Sequence, residues 1–235
     1  MIRIALIGEF DPASSAHAAT LAALRHASER LKLEVASAWI ATDELNSELF
    51  ERDRVAGVWI APGGPYRDFE RVLAAIRHAR ERQLPCFGTC SGFQHMVIEY
   101  ARNVLGVAGA HHAEYASASS ELFITELACS LRGRSMALTF SPESRVAAAY
   151  GSTAATEQYF CNFGVDPARV ARLKSGPLQI SGADAEGELR VIELPGHPFF
   201  VGTLFLPQAR SLPGRPHPLV SEFVRSAQRA HEATS

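Results

Sequence analysis

Apolar residues fill positions 2–8 almost without a break, and the run ends in Gly-Glu. A strand buried on both faces of a parallel sheet has this character, because neither face alternates toward water. Across 15–31 the spacing becomes helical, with Leu21, Leu24, His26 and Leu31 near one stripe. Residues 33–40 alternate as a second strand, and 55–61 form a third, closed by Pro62-Gly63-Gly64-Pro65. A long amphipathic helix over 67–82 precedes a short apolar strand at 86–89, and 93–103 read as the helix that follows. This rhythm predicts an α/β fold of three layers, a mostly parallel sheet with helices on both faces. In such sheets ligands bind outside the carboxyl ends of the strands, where both Gly63-Gly64 and the turn after 89 fall.

Beyond Gly106 the pattern shortens. Stretches at 121–126, 135–140, 146–150, 178–181, 188–194 and 201–205 read as strands between Gly, Pro and Ser turns. One helix is expected over 153–160 and another over 218–231, with the Pro-rich segment 211–218 as a loop. No internal repeat or low-complexity tract interrupts the chain. Its 235 residues suit one large domain with a full core.

A net charge of −2 and the lack of a basic stripe interleaved with aromatics argue against nucleic acid as a partner. No apolar run approaches the ~20 residues that span a bilayer, and Met1-Ile-Arg-Ile-Ala reads as a first strand rather than a signal peptide. Cys86, Cys90, Cys129 and Cys161 have neither metal-site nor disulfide-framework spacing. The expectation is a cytoplasmic protein with no metal and no cofactor.

The chemistry concentrates in Leu84-Pro-Cys-Phe-Gly-Thr-Cys-Ser-Gly-Phe-Gln94. An apolar strand runs into Gly-x-Cys-x-Gly and then into a helical pattern, the layout of a nucleophile elbow. Gly88 and Gly92 let the backbone turn without a Cβ clash, and Cys90 is pushed out at the end of the sheet. A helix N-terminus beneath the sulfur favours thiolate over thiol.

These residues resemble the carboxy-terminal glutamine amidotransferase domain of CTP synthase, a class I, triad-type amidotransferase of flavodoxin-like fold. The likeness extends to Ile4-Ala-Leu-Ile-Gly8, Ile98-Glu-Tyr-Ala-Arg-Asn-Val-Leu-Gly106, Ala113-Glu-Tyr115, His197-Pro-Phe-Phe-Val-Gly202 and Arg215-Pro-His-Pro-Leu219. It covers nearly the full length, and it implies a place in pyrimidine nucleotide biosynthesis. By resemblance Cys90 is the nucleophile, the backbone N–H groups of Gly64 and Ser91 are the oxyanion donors, and Gly63, Gln94 and Glu114 line the substrate pocket. The implied substrate is a small molecule, glutamine or a related amide. The large synthetase domain that precedes this module in the family has no counterpart here, so a separate synthetase or a homo-oligomer are the partners the resemblance suggests. No phosphate-binding G-x-x-x-x-G-K-[ST] loop is present, so CTP formation is not expected of this polypeptide alone.

Two departures matter. Where the family has Phe-His-Pro-Glu, this chain has Leu204-Phe-Leu-Pro-Gln208, which puts Leu206 at the triad His and Gln208 at the Glu. A Leu neither accepts nor returns a proton, and loss of a triad member costs orders of magnitude in turnover. Thr156-Glu-Gln-Tyr-Phe-Cys-Asn162 lacks the Arg that grips the glutamine carboxylate in the family. This double loss resembles an offshoot, stand-alone proteins related to the CTP synthase C-terminal region, some of which carry selenocysteine. His111 and His112, just before Glu114, are the candidates for a relocated base, ahead of His95, while His197 and Cys86 suit structural roles. Cys161 is either an inert core thiol or a thiol–disulfide partner of Cys90. Three readings stay open: a cysteine-dependent enzyme acting on a small amide or acyl compound, a thiol redox enzyme, and a binding protein without catalysis.

Overall fold

The computed structural model describes residues 1–46, 48–116, 118–119 and 121–233. Strand β1 (Ile2–Ile7), helix α1 (Ser15–Leu31), β2 (Val35–Ile40), α2 (Glu48–Arg52), β3 (Val55–Ile60), α3 (Phe69–Glu81), β4 (Cys86–Thr89) and α4 (Ser91–Asn103) form the first half. The second half holds β5 (His111–His112), β6 (Leu122–Glu126), β7 (Arg134–Phe140), α5 (Arg145–Tyr150), β8 (Ala154–Tyr159) and β9 (Phe163–Val165). It ends with α6 (Val170–Leu173), β10 (Gln179–Asp184), β11 (Leu189–Glu193), β12 (Phe200–Thr203) and α7 (Pro218–Ala233).

Nine strands join in the order β2-β1-β3-β4-β12-β11-β10-β7-β8, and β5-β6-β9 make a small second sheet. The main sheet is mixed. From β2 to β12 every pairing is parallel, and from β12 to β8 every pairing is antiparallel. The parallel half has the doubly wound order 2-1-3-4 followed by a fifth strand, the flavodoxin-like arrangement. Its central strands β3, β4 and β12 are buried along nearly their whole length, as the unbroken apolar runs require.

Local signals set the helices. Ser14 caps α1 by accepting the His17 N–H, and Lys32 ends it in the left-handed region. Asp68 caps α3 at the Arg71 N–H. Helix α7 lays Phe223 against Trp59, Phe87 and Phe199, with ring centroids 5.5–5.9 Å apart. Gly57 on β3 permits that approach, since a Cβ there would lie 3.1 Å from the Phe223 ring.

Two elements differ in type from the sequence pattern, and β5, β9 and α6 have no counterpart in it. The expected strand at 146–150 is the helix α5, and the expected helix at 153–160 is the strand β8. Ser144 accepts the Ala147 N–H at the start of α5, and Gly151 closes it with φ of 64°. Both are ordinary cap signals around Val-Ala-Ala-Ala-Tyr. Residues 154–159 pair with β7 over six positions, so tertiary pairing overrides a weak local preference.

Helices α3 and α4 are clamped by an ion pair. Glu99 has no exposed side-chain surface, and its carboxylate accepts Arg80 Nη2 at 2.8 Å and Nε at 3.0 Å. Removing one partner leaves an uncompensated buried charge. Arg80→Ala is therefore expected to lower unfolding free energy by about 3–5 kcal/mol, read from urea denaturation, and a loss below about 1 kcal/mol would contradict this placement.

Candidate functional site

Cys90 stands between β4 and α4 with φ of 53°, a left-handed conformation that non-glycine residues rarely adopt. Such a residue costs about 1–3 kcal/mol and persists where the surroundings over-determine it. Here they do. A Cβ at Gly92 would collide with the Ile60 carbonyl, and one at Gly88 with the Met96 sulfur, so the turn closes against β3 and α4 only with glycine at both positions. The Cys90 N–H donates to Thr203 O at 2.9 Å, which ties the elbow to the end of β12. Cys90 is buried, with 8% of its surface exposed.

Cys161 arrives from the other direction, on the connection between β8 and β9. Its sulfur lies 3.1 Å from Leu204 O, one residue past the carbonyl that holds Cys90. The two Cα atoms are 6.2 Å apart and the sulfurs are in direct contact as a disulfide pair. That Cα spacing falls within the usual range of about 4.4–6.8 Å for bridged cysteines.

Leu206 is buried just beyond β12, and its N–H donates to Gln158 O at 2.8 Å. Gln208 is buried as well. Its Nε2 donates to Thr20 Oγ1 at 3.2 Å and Thr89 Oγ1 at 3.3 Å, while Oε1 has no partner. These contacts leave Gln208 bracing β4 and α1, with no imidazole for it to orient.

The candidate histidines are all engaged in local contacts. His112 is buried. Its Nδ1 accepts the Glu114 N–H at 3.0 Å, so Nε2 carries the proton and donates to Gln94 Oε1 at 3.1 Å. His111 stacks on Phe69 with centroids 4.8 Å apart, and its Nδ1 accepts the His112 N–H. His95 donates Nδ1–H to Ser91 O at 2.7 Å and packs among Tyr66, Phe69 and Tyr115. Among the described residues none of the three is hydrogen bonded to the Cys90 sulfur. Burial holds His95 down at about 4 and His112 at about 3, which keeps both neutral at pH 7. His197 bridges Ala79 O and the Phe199 N–H, and Cys86 is an interior thiol whose pKa burial raises.

Gln94 is fixed at both ends, since its Nε2 also donates to Phe163 O at 2.8 Å. The Gly63-Gly64 turn sits above the start of α4, with Gly63 at φ of 105° and His17 Nε2 donating to Pro62 O at 2.8 Å. A Cβ at Gly64 would lie 3.0 Å from Ser91 Oγ and 3.3 Å from Glu114 Oε2, so turn, elbow and Glu114 converge. Partial desolvation raises the Glu114 pKa. Two contacts here have no pairing signature in the local sequence. The Gly64 N–H donates to the Ser91 hydroxyl at 2.9 Å, and the Tyr66 N–H donates to the Tyr115 hydroxyl at 2.5 Å. The hydroxyl beside the nucleophile was the available signal for the first.

The sequence matches Glutamine amidotransferase class-I over residues 16–226. It is 33% identical over 242 residues to CTP synthase of Symbiobacterium thermophilum, covering 96% of this chain and 45% of that protein. It is 34% identical over 244 residues to CTP synthase of Haloquadratum walsbyi, covering 100% of this chain and 44% of the relative. The chain thus spans about half the length of the curated relatives it matches. Among solved structures, the glutaminase domain of Trypanosoma brucei CTPS with bound acivicin superposes with a TM-score of 0.88 at 23% identity, over 97% of this chain and 94% of that one. A glutamine amidotransferase from Thermotoga maritima superposes with a TM-score of 0.60 at 10% identity, over 98% of each chain. The chain belongs to the class-I glutamine amidotransferase family, and within it resembles the CTP synthase branch.

The neutral buried imidazoles have a consequence for stability. Their folded pKa values lie below the unfolded value near 6.5, so the unfolded chain binds more protons as pH falls. The stabilisation is present above pH ~6.5 and is lost as pH falls toward the folded values. Between pH 7 and pH 5 each histidine should remove about 1–2 kcal/mol, read as a falling urea midpoint. A midpoint unchanged over that interval would contradict the burial of these rings as neutral groups.

Proposed function

We propose that this amidotransferase-family domain works through a thiol–disulfide couple, Cys90 and Cys161, in place of triad glutaminase chemistry. The observation that carries the reading is the pairing of these sulfurs at a preserved elbow. Leu206 and Gln208 stand where the resemblance places the acid–base pair, and a hydrocarbon shuttles no proton. The Arg-free stretch before Cys161 offers no bidentate clamp for a substrate carboxylate. The offshoot resemblance, in which some members carry selenocysteine, agrees with a soft sulfur-type centre. Both the oxyanion assignments and the pocket roles of Gly63, Gln94 and Glu114 belong to the acyl-transfer alternative.

The chemistry is an exchange. The Cys90 thiolate attacks one sulfur of a disulfide R–S–S–R′, the S–S bond breaks, and R′–S⁻ leaves with the electron pair. That thiolate takes the Cys161 proton. Cys161 then attacks the Cys90 sulfur, forms the Cys90–Cys161 bond and expels R–S⁻, which is protonated from solvent. The substrate gains two electrons and the cysteine pair loses two. A thiol or dithiol reductant returns the pair to its reduced state by the reverse exchange. The substrate is a small molecule bearing a disulfide, and the site of action is the cytoplasm, where reducing thiols are abundant.

Two assays check this. Ammonia release from glutamine should stay far below amidotransferase rates, and robust release abolished by Cys90→Ser would overturn the reading. With glutathione disulfide, Cys161→Ser should accumulate a Cys90–glutathione adduct, seen as a mass increase, while the parent protein resolves it. Equal accumulation in both would remove Cys161 from the mechanism.

A further inference from the structure

Ser91 directly follows the nucleophile and opens α4, where first-turn N–H groups lack intrahelical partners. Its side chain is turned away from solvent, with the residue 7% exposed. The hydroxyl oxygen accepts the Gly64 N–H at 2.9 Å. Acyl transfer at an elbow of this kind needs that N–H free, because the attacked carbonyl oxygen becomes an anion and must be held by preorganised donors. A donor already satisfied by a buried hydroxyl is not offered to the substrate without breaking its bond.

Attack on sulfur has no such requirement. In thiol–disulfide exchange the charge passes from one sulfur to another along the line of attack, and no oxyanion develops. We infer that Ser91 is a specificity-determining residue: its hydroxyl occupies the Gly64 donor and directs Cys90 toward disulfide substrates and away from acyl and amide ones. This rests on the thiol–disulfide reading of the site and names its substrate class. It also explains how an elbow and a Gly-Gly turn persist without serving an acyl intermediate.

The test compares three probes on the reduced protein. p-Nitrophenyl acetate acylates a thiol through an oxyanion, iodoacetamide alkylates it without one, and 5,5′-dithiobis(2-nitrobenzoate) exchanges with it. Rates are read on the Cys90 peptide by mass spectrometry, because the exposed Cys129 also reacts. The quantity compared is the ratio of acylation to alkylation at Cys90. Ser91→Ala should raise that ratio about tenfold or more, since a single oxyanion donor is worth about 10²–10³ in rate. Ser91→Gly removes the same hydroxyl and provides a second variant, and Ser91→Thr, which keeps a hydroxyl, should leave the ratio low. An unchanged or lower ratio in Ser91→Ala and Ser91→Gly would overturn the inference, because the hydroxyl would then be idle or itself an oxyanion donor. Failure of Cys90 in the parent protein to react with the disulfide probe would instead sink the underlying reading, independently of the Ser91 ratio.

Discussion

A backbone turn with φ of 53° at Cys90 is the constraint on which the site depends. It forces a β-carbon into the left-handed region, at a cost of about 1–3 kcal/mol, and the surrounding structure supplies that cost. Gly92 fits under the Ile60 carbonyl, Gly88 fits against Met96, and the Cys90 N–H is anchored on Thr203. Through these contacts β3, β4, β12 and α4 fix one sulfur at the carboxyl edge of the parallel strands. The same edge carries the Gly63-Gly64 turn and the end of β12, so three strand termini converge on one place.

What surrounds that sulfur differs from an acid–base site. Leu206 and Gln208 take the positions at the end of β12 where the family resemblance expects a His and a Glu, and the three nearby histidines are committed elsewhere. His112 holds Gln94, His95 holds the first turn of α4, and His111 covers Phe69. Cys161 fills the space beside Cys90, with its sulfur against the carbonyl next to the one that anchors the nucleophile. On the proposed reading, the missing proton shuttle, the missing carboxylate clamp and the neighbouring second cysteine together favour sulfur exchange, which needs a thiolate and a second thiol but no oxyanion hole.

Much of this was legible in the residues. The apolar runs at β1, β3 and β4 and the Gly-x-Cys-x-Gly motif specified the parallel half, because strands buried on both faces and a glycine-bounded turn leave few alternatives. The antiparallel half was harder. There Val-Ala-Ala-Ala-Tyr and Ala-Ala-Thr-Glu-Gln-Tyr carry similar composition, and caps and cross-strand pairing decide between helix and strand. The approach of Cys161 to Cys90 spans 71 residues of sequence, and spacing alone left it as one of two alternatives. The Ser91–Gly64 hydrogen bond joins residues 27 apart and depends on how the turn after β3 leans over α4. Nothing in local pattern encodes that lean.

The pairing of two particular sulfurs is tested most directly by redox titration followed by peptide mapping without reduction. The protein is equilibrated across glutathione buffers, quenched with acid, and digested. A single two-electron transition that yields a Cys90–Cys161 linked peptide, with Cys86 and Cys129 remaining as thiols, is the predicted result. Oxidation that stops at a glutathione adduct on Cys90, or that links Cys90 to no other cysteine under any buffer, would contradict it.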